Sequence, residues 1–374
     1  MAMNRKWVGF LVVLGALTLA KSGFSEDEDV AAAKKAVAYL SSLQNEDGTF
    51  GKSKVDNVPG IVGLAVQAIA TSPEKPRENN SPILAKAAKY LVSRQLPSGA
   101  ITAPSLGAEN YHTSVAVTAL AALENPAYKD VLDKGRQYIL TCQMGDDAGP
   151  EKAGGFAYST ENKKADNSNT CFSLEALKAA GLEENSPAWK NAIKFIKRGQ
   201  DNAETNDLPG VMKEGDNTGG FVYAPGVSTG SGGTVVSKRT GKTVPKPYGN
   251  MTYQAIKGLI YAKIDKTDPA LQAAYKWVKE NYSVTKQPGG NGTEGYYYYL
   301  ISFTKAFAAM GEKEFVLADG RKAVWAKEMA AQIRSLQKPD GSFVNDSSEY
   351  LENDPVLATS EALLALNICI EAMK

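Results

Sequence analysis

The sequence predicts an all-α fold, an (α/α)6 toroid in which six outer helices surround six inner ones. Two observations predict it. A Gly-rich loop that opens with Gln recurs along the chain, and a nearly apolar helix follows each copy. The loops start at Gln44, Gln95, Gln143, Gln200, Gln287 and Gln337, mostly at a spacing of roughly fifty residues, which is typical of helical-pair repeats. Such units bury their apolar faces only by stacking or by closing into a ring.

The helices before the loops are predicted to form the outer layer. They are amphipathic, with Lys and Glu interleaved among Ala, Val, Leu and Tyr at helical period, so one face meets water. The clearest examples are Val30 to Leu43, Tyr128 to Thr141 and Leu271 to Tyr282.

The helices after the loops are predicted to form the inner layer. They are rich in Ala and Leu on every side, and a helix of this kind must be covered on every side. They are Pro59 to Ala70, His112 to Leu123, Thr170 to Ala180, Met251 to Ala262, Tyr298 to Met310 and Val356 to Ile370. Six pairs are enough to close a ring, and neither end has an obvious polar cap, which favours a closed toroid over an open solenoid.

Two short motifs connect this chain with a known superfamily. Loops of the form Gln-x-x-Asp-Gly-x-aromatic appear at Gln44 to Phe50 and Gln337 to Phe343, and inner helices approach the form Thr-x-x-Ala-Leu-x-Ala-Leu at Thr113 to Leu120 and Thr359 to Leu366. In these motifs the chain resembles the repeats of squalene and oxidosqualene cyclases and of protein prenyltransferase β subunits, over roughly residues 28 to 374. The resemblance implies the toroid fold and an isoprenoid-like ligand.

Composition is that of one large folded domain. Of 374 residues 43% are hydrophobic and 22% charged, and 42 basic residues face 41 acidic ones. A balanced charge without basic clusters gives no field that would attract nucleic acid or acidic membranes.

The first residues predict export. Asn4-Arg5-Lys6 precede an apolar run, Trp7 to Ala20, which is short for a membrane span and typical of a secretory signal. We therefore expect a signal peptide over residues 1–25, cleaved near Ala20 or Ser25, and a single domain over residues 26–374 without a transmembrane segment. The mature protein would be secreted or periplasmic. Three cysteines in an exported chain exclude a dense disulfide framework but leave one disulfide open.

An insert interrupts the fourth repeat. Residues 201–249 are dense in Gly, Pro, Ser and Thr and contain a β-like stretch from Gly233 to Lys238. A connection this long inside a compact domain is usually a binding lid or an irregular excursion, and the sequence leaves both open.

A candidate catalytic acid comes from the resemblance. Squalene-type cyclases protonate an isoprenoid with an acid in an Asp-x-Asp-Asp-Thr motif, and the matching segment here runs from Asp166 to Thr170. Asp166 and Thr170 fit the motif, whereas Ser168 and Asn169 replace the acid and its partner. Neither replacement can deliver a proton to an alkene, so Asp166 is the one candidate acid of this segment, and its alternative role is that of a helix N-cap.

A candidate zinc site has the same origin. Protein prenyltransferases hold zinc with a His in Asp-x-Tyr-His-Thr and an Asp and a Cys in Asp-x-Cys-Tyr-Ser. The similar segments here place His112, the one histidine, after Tyr111, and Cys171 after Asn169-Thr170. Asn169 stands where a carboxylate ligand is needed, and catalytic zinc requires three protein ligands. We therefore expect no cofactor, with His112 and Cys171 as the residues to test for zinc.

Aromatic residues at the loop ends predict a ligand site at the mouth of the ring. Aromatic faces beside amide groups suit apolar molecules and sugars alike. The candidate ligand-binding residues are Tyr111, Tyr158, Asn169, Tyr223, Tyr296 and Tyr297. The sequence therefore predicts an exported toroid that binds a small ligand, isoprenoid-like by resemblance. The alternatives are an active terpenoid cyclase or prenyltransferase and a toroid that binds a glycan or peptide.

Overall fold

A computed structural model describes residues 23–53, 58–103, 107–226 and 230–374. The predicted signal run, Trp7 to Ala20, lies outside these residues.

Within the described residues, twelve α-helices alternate between two layers. The outer helices are α1 (Gly23–Ser42), α3 (Pro82–Ser93), α5 (Lys129–Thr141), α7 (Pro187–Arg198), α9 (Pro269–Asn281) and α11 (Trp325–Leu336). The inner helices are α2 (Pro59–Ala70), α4 (Glu109–Ala122), α6 (Asn167–Ala179), α8 (Gly249–Tyr261), α10 (Tyr296–Met310) and α12 (Pro355–Met373). Most inner helices begin one to three residues earlier than the sequence predicts, because the residues just before each apolar run already form the first helical turn.

Two antiparallel hairpins accompany the helices. The first pairs β1 (Thr234–Val236) with β2 (Thr243–Pro245), and the second pairs β3 (Phe315–Val316) with β4 (Lys322–Ala323).

The inner helices form a closed ring. Each packs on the next in chain order, α12 packs on α2, and α1 packs on both α11 and α12. The inner helices are buried nearly all round; all twelve residues of α2 are buried. The predicted toroid is confirmed, and the open solenoid is excluded by the contact between α12 and α2.

The repeated Gln explains how successive outer helices are joined. Its side-chain amide donates to a backbone carbonyl of the next outer helix in five of the six loops. These bonds join Gln44 to Ile83, Gln95 to Val131, Gln143 to Ala188, Gln200 to Ala270 and Gln337 to Ala32, at 2.7–2.9 Å. In the fifth loop Gln287 instead donates to Glu294 within its own loop. The bond from Gln337 to Ala32 joins the two ends of the chain.

The Gly and Thr of the motif also have structural roles. Gly341 has φ +91°, and a Cβ there would lie 2.5 Å from the carbonyl oxygen of Lys35, so only Gly fits against α1. The aromatic residue that follows donates its N–H to the Thr hydroxyl of the inner helix, as Phe343 does to Thr359 at 3.0 Å. Where both bonds form, as in the loop from Gln337 to Phe343, the motif ties the loop to both layers, and at the ring closure an ion pair between Asp29 and Arg334 adds to it.

The insert is ordered where the structure describes it. Asp201 accepts from the backbone N–H groups of Asn217 and Thr218, and the guanidinium of Arg239 donates to the carbonyl of Gly215. The insert carries the β1–β2 hairpin, and it brings Tyr223 and Tyr248 to the ring mouth.

One described helix, α12, is long and apolar enough to cross a membrane, but 78% of its apolar window is buried inside the ring. The core helix of a folded domain has the same properties. All three cysteines are buried and free.

Candidate functional site

A cavity of about 250 Å³ opens where the N-terminal ends of five inner helices converge. Most of its wall is aromatic. The aromatic side chains are Tyr111 of α4, Phe172 of α6, Tyr298 of α10, Tyr158 and Tyr223 of the preceding loops, Tyr248 before α8, and Tyr350. Met251 and Leu357 add apolar surface, and Ser168, Asn169 and Glu361 supply the polar groups.

The aromatic rings hold one another in place. The Phe172 ring stacks on Tyr298 with centroids 6.1 Å apart, and Tyr298 stacks on Tyr350 at 6.3 Å. Tyr111 meets Phe172 edge to face at 5.1 Å. Contacts of this kind stabilise beyond the area that they bury, so the wall is preformed.

Tyr350 reaches this wall through an unusual backbone. Its φ is +59° and that of Leu351 is +62°, in the left-handed region that side chains with a Cβ rarely adopt. The hydroxyl of Tyr350 lies 3.0 Å from the Ser231 hydroxyl of the insert. Strained residues of this kind cluster at ligand sites.

Asp166 fixes two of the cavity tyrosines. Its carboxylate caps α6 by accepting from the backbone N–H of Asn169 at 2.7 Å, and it accepts from the Tyr223 hydroxyl at 2.9 Å. Tyr223 is in turn 2.5 Å from the Tyr158 hydroxyl. Burial raises the pKa of Asp166, although these hydrogen bonds oppose the change. Burial and the Asp166 charge raise the pKa of Tyr158 to about 12. Both oxygens of Asp166 are thus used to position the site.

The predicted ligand-binding residues divide into two groups. Tyr111, Tyr158, Asn169 and Tyr223 line the cavity. Tyr296 and Tyr297 lie in the wall of the ring, where their hydroxyls donate to the carbonyls of Val284 and Val344. The next residue, Tyr298, faces the cavity instead, because consecutive helical residues point in different directions.

The two residues proposed for zinc face different neighbours. Nδ1 of His112 accepts from the backbone N–H of Gly60 in α2 at 3.1 Å, whereas the Sγ of Cys171 packs against Gly258 in α8. Burial lowers the pKa of His112 to about 4 and raises that of Cys171 to about 12. The part of the chain that the structure describes has no group of three or more His, Cys, Asp or Glu residues able to hold a metal.

A buried charge cluster lies beneath the aromatic wall. Glu175 of α6 pairs with Lys257 of α8 at 2.7 Å and with Lys305 of α10 at 2.5 Å. Burial alone would raise the pKa of Glu175, but the two lysines lower it to about 2. The Nζ of Lys257 lies 5.4 Å from the centroid of Phe172, so the cluster supports the ring from below.

Sequence reasoning missed Phe172, Tyr248 and Tyr350 of the aromatic wall, and it missed the one acidic residue of the described lining, Glu361. It lies on α12, is 5% exposed, and lines the cavity. A signal was available: Glu361 is the one charged residue in the apolar run from Val356 to Ile370. Charged side chains are almost never fully buried unless they are paired. A charged residue in an apolar inner helix therefore indicates either a buried ion pair or a functional site.

Known proteins share this fold. The model of the prenyltransferase α/α-toroid domain matches residues 3–134, 131–192 and 190–370. No curated protein sequence matches significantly.

Among solved structures, the apo type II terpene cyclase MstE from Scytonema has a TM-score of 0.55 at 14% identity, over 93% of this chain and 99% of its own. The GH76 α-mannanase from Bacteroides thetaiotaomicron has a TM-score of 0.56 at 12% identity, over 93% and 98%. A possible GH105 family member from Salmonella enterica serovar Paratyphi A has a TM-score of 0.55 at 12% identity, over 98% of this chain and 100% of its own.

At such identities these structures share the fold, and the fold hosts both terpene and glycan chemistry. The match of the domain model along nearly the whole sequence is more specific, and it agrees with the closed ring of helices. The chain belongs to the prenyltransferase α/α-toroid domain family.

Proposed function

We propose that this protein binds a small, largely apolar molecule in the cavity at the ring mouth. The observation that carries the proposal is the wall of seven aromatic side chains, preformed by stacking and broken by few polar groups. Sites for small molecules are typically concave and mostly apolar, with a few polar groups that fix the ligand's orientation.

Cavity size limits the ligand. About 250 Å³ lies just below the 300–1,000 Å³ that is usual for drug-sized ligands. A molecule as long as squalene exceeds this volume, whereas a short isoprenoid or a single sugar ring does not. Aromatic faces suit sugars as well, but of the described lining residues only Ser168, Asn169 and Glu361 interrupt the aromatic and apolar surface, which favours the isoprenoid-like ligand over the glycan.

We propose binding rather than polyene cyclisation or thiol prenylation. Asp166 uses both oxygens to hold Asn169 and Tyr223, and the Ser168 hydroxyl lies 2.8 Å from that of Tyr298. Protonating an alkene requires a strong acid. Burial, together with the neighbouring Glu352, raises the pKa of Glu361 well above its usual value, which makes Glu361 a weak acid.

A cavity-filling variant tests the proposal. Leu357→Trp adds an indole to the cavity wall. The control, Ala308→Trp, adds the same group to a separate apolar pocket near the C-terminal end of α10. We expect solvent extraction and mass spectrometry to recover a lipid-like molecule from the wild type and from Ala308→Trp, but not from Leu357→Trp. An oligosaccharide in the extract would support the glycan alternative, and equal recovery from both variants would contradict the site.

A further inference from the structure

Glu361 is a buried carboxyl group that the fold leaves without a partner. It belongs to α12, packs within the ring, and faces the cavity. Its Oε2 atom is inaccessible and accepts or donates no hydrogen bond among the described residues. A buried polar group without a partner costs roughly 1–3 kcal/mol, and natural proteins keep few such groups.

The groups around Glu361 are already engaged. Lys305 of α10, a cation whose charge opposes the raised pKa of Glu361, pairs with Glu175. Glu352 accepts from the backbone N–H groups of Tyr296 and Tyr298, each at 2.9 Å, and from the Asn345 amide at 2.6 Å. No described cation lies within 4.0 Å of Glu361.

The remaining neighbours favour the uncharged form of Glu361. Tyr111 of α4 and Tyr297 of α10 are titratable groups, and the pKa of each is raised. Helix α2 has no titratable residue. Arg334 of α11 pairs with Asp29 of α1. Burial first, and then the charge of Glu352, raise the pKa of Glu361 well above its usual value; Lys305 opposes this only in part. An uncharged carboxyl carries an O–H donor, and here that donor has no protein acceptor.

We propose that the Glu361 carboxylic acid donates a hydrogen bond to an oxygen of the bound molecule, so that the cavity selects uncharged ketones, ethers or alcohols over hydrocarbons and over amines. This inference rests on the proposed ligand site. Glu361 lines the cavity, and a hydrogen-bond donor in an apolar lining disfavours a ligand that has no acceptor, because its hydrogen bond is then unmade.

Three molecules with one skeleton test the selectivity. Camphor carries a carbonyl, bornane has the same bicyclic skeleton without it, and bornylamine carries a cation near neutral pH. In titrations followed by tyrosine fluorescence at pH 5.5, we expect camphor to bind the wild type about five- to tenfold more tightly than bornane, the effect of one hydrogen bond. We expect bornylamine to bind more weakly than camphor.

Two variants assign the preference to Glu361. Glu361→Gln keeps an N–H donor and should keep the preference for camphor at every pH. Glu361→Leu has no donor, so it should bind camphor and bornane equally, because bornane no longer leaves a donor of the cavity unpaired. In the wild type the preference should decline as pH rises and the carboxyl ionises, because a carboxylate has no donor.

The outcomes separate this inference from the proposed function. Binding of camphor and bornane with equal affinity by the wild type would overturn the role of Glu361 and leave the cavity as a ligand site. Tighter binding of bornylamine than of camphor, lost in Glu361→Gln, would overturn it in favour of an ionised Glu361. No binding of any probe, with unchanged melting temperatures, would contradict the ligand site itself. Circular dichroism of both variants checks that they fold.

Discussion

Individual residues of the inner helices show how this protein uses buried polar groups. Asp166 holds tyrosines in place, Glu175 pairs with two lysines, and Glu361 lines the cavity without a described partner for its Oε2 atom. The sequence motif made Asp166 a candidate acid, and the structure shows a helix cap that orients Tyr223. Glu361 was missed because it matches no motif. Its importance depends on what surrounds it, and a single sequence does not show three-dimensional neighbours.

His112 should make stability depend on pH. Burial lowers its pKa to about 4 from 6.5, so the folded chain favours the neutral ring. The contribution of neutral His112 to the free energy of unfolding is fully present above pH 6.5. It is lost as pH falls towards 4, and the loss is about 3 kcal/mol for such a shift. His112→Gln retains an acceptor for the Gly60 N–H but does not titrate. Denaturant unfolding at pH 7 and pH 4 should therefore show a larger loss for the wild type than for the variant.

Equal losses of unfolding free energy between pH 7 and pH 4 in the wild type and in His112→Gln would contradict this account of His112. Elemental analysis of the purified wild type and of two alanine variants checks the zinc site. We expect no stoichiometric zinc, and zinc that disappears in both His112→Ala and Cys171→Ala would establish the metal site instead.

At the scale of the helix and its loop, the repeat motif is a set of structural bonds. Gln joins one outer helix to the next, Gly permits the close approach, and Thr ties the loop to the inner helix. These roles recur, so the sequence predicts the elements and their layers well. The fifth loop departs from the pattern because Gln287 bonds within its own loop. The insert was less predictable, since its order depends on individual contacts such as that of Asp201 with Thr218.

The contribution of the Gln side-chain hydrogen bonds to stability should be measurable in one repeat. The amide of Gln200 is buried and donates to the carbonyls of Gly219 and Ala270 at 2.9 and 2.7 Å. Gln200→Ala removes the donor of both hydrogen bonds and should cost about 1–3 kcal/mol in denaturant unfolding. Gln272→Ala, on the exposed face of α9, serves as control and should change stability by less than about 0.5 kcal/mol. A similar effect of both substitutions would show that the motif does not stabilise the ring.

At the scale of the whole molecule, the ring brings residues from distant repeats to one mouth. Tyr111, Phe172 and Tyr298 are far apart in sequence, yet their rings are in contact. The sequence predicted a mouth lined by aromatic residues because inner helices start at one end of the ring. From the run Tyr296 to Tyr299 it predicted Tyr296 and Tyr297 as ligand-binding residues, whereas Tyr298 lines the cavity. Which tyrosine faces inward depends on the rotation of α10 against its neighbours.

We also propose that the protein is exported, on the pattern of a charged start followed by the apolar run from Trp7 to Ala20. N-terminal sequencing of the mature protein should find a first residue between Lys21 and Glu26. Protein recovered from the cytoplasm with an intact Met1 would contradict export while leaving the toroid and its cavity unaffected.

The most direct measurement of the central claim, that the cavity at the ring mouth is a ligand site, is native mass spectrometry of the purified wild type and of the matched variants Leu357→Trp and Ala308→Trp. We predict one small molecule per chain in the wild type and in Ala308→Trp, released on activation, and none in Leu357→Trp. Retention of the same extra mass by Leu357→Trp, with its fold intact, would contradict the claim, because the ligand would then occupy another part of the molecule.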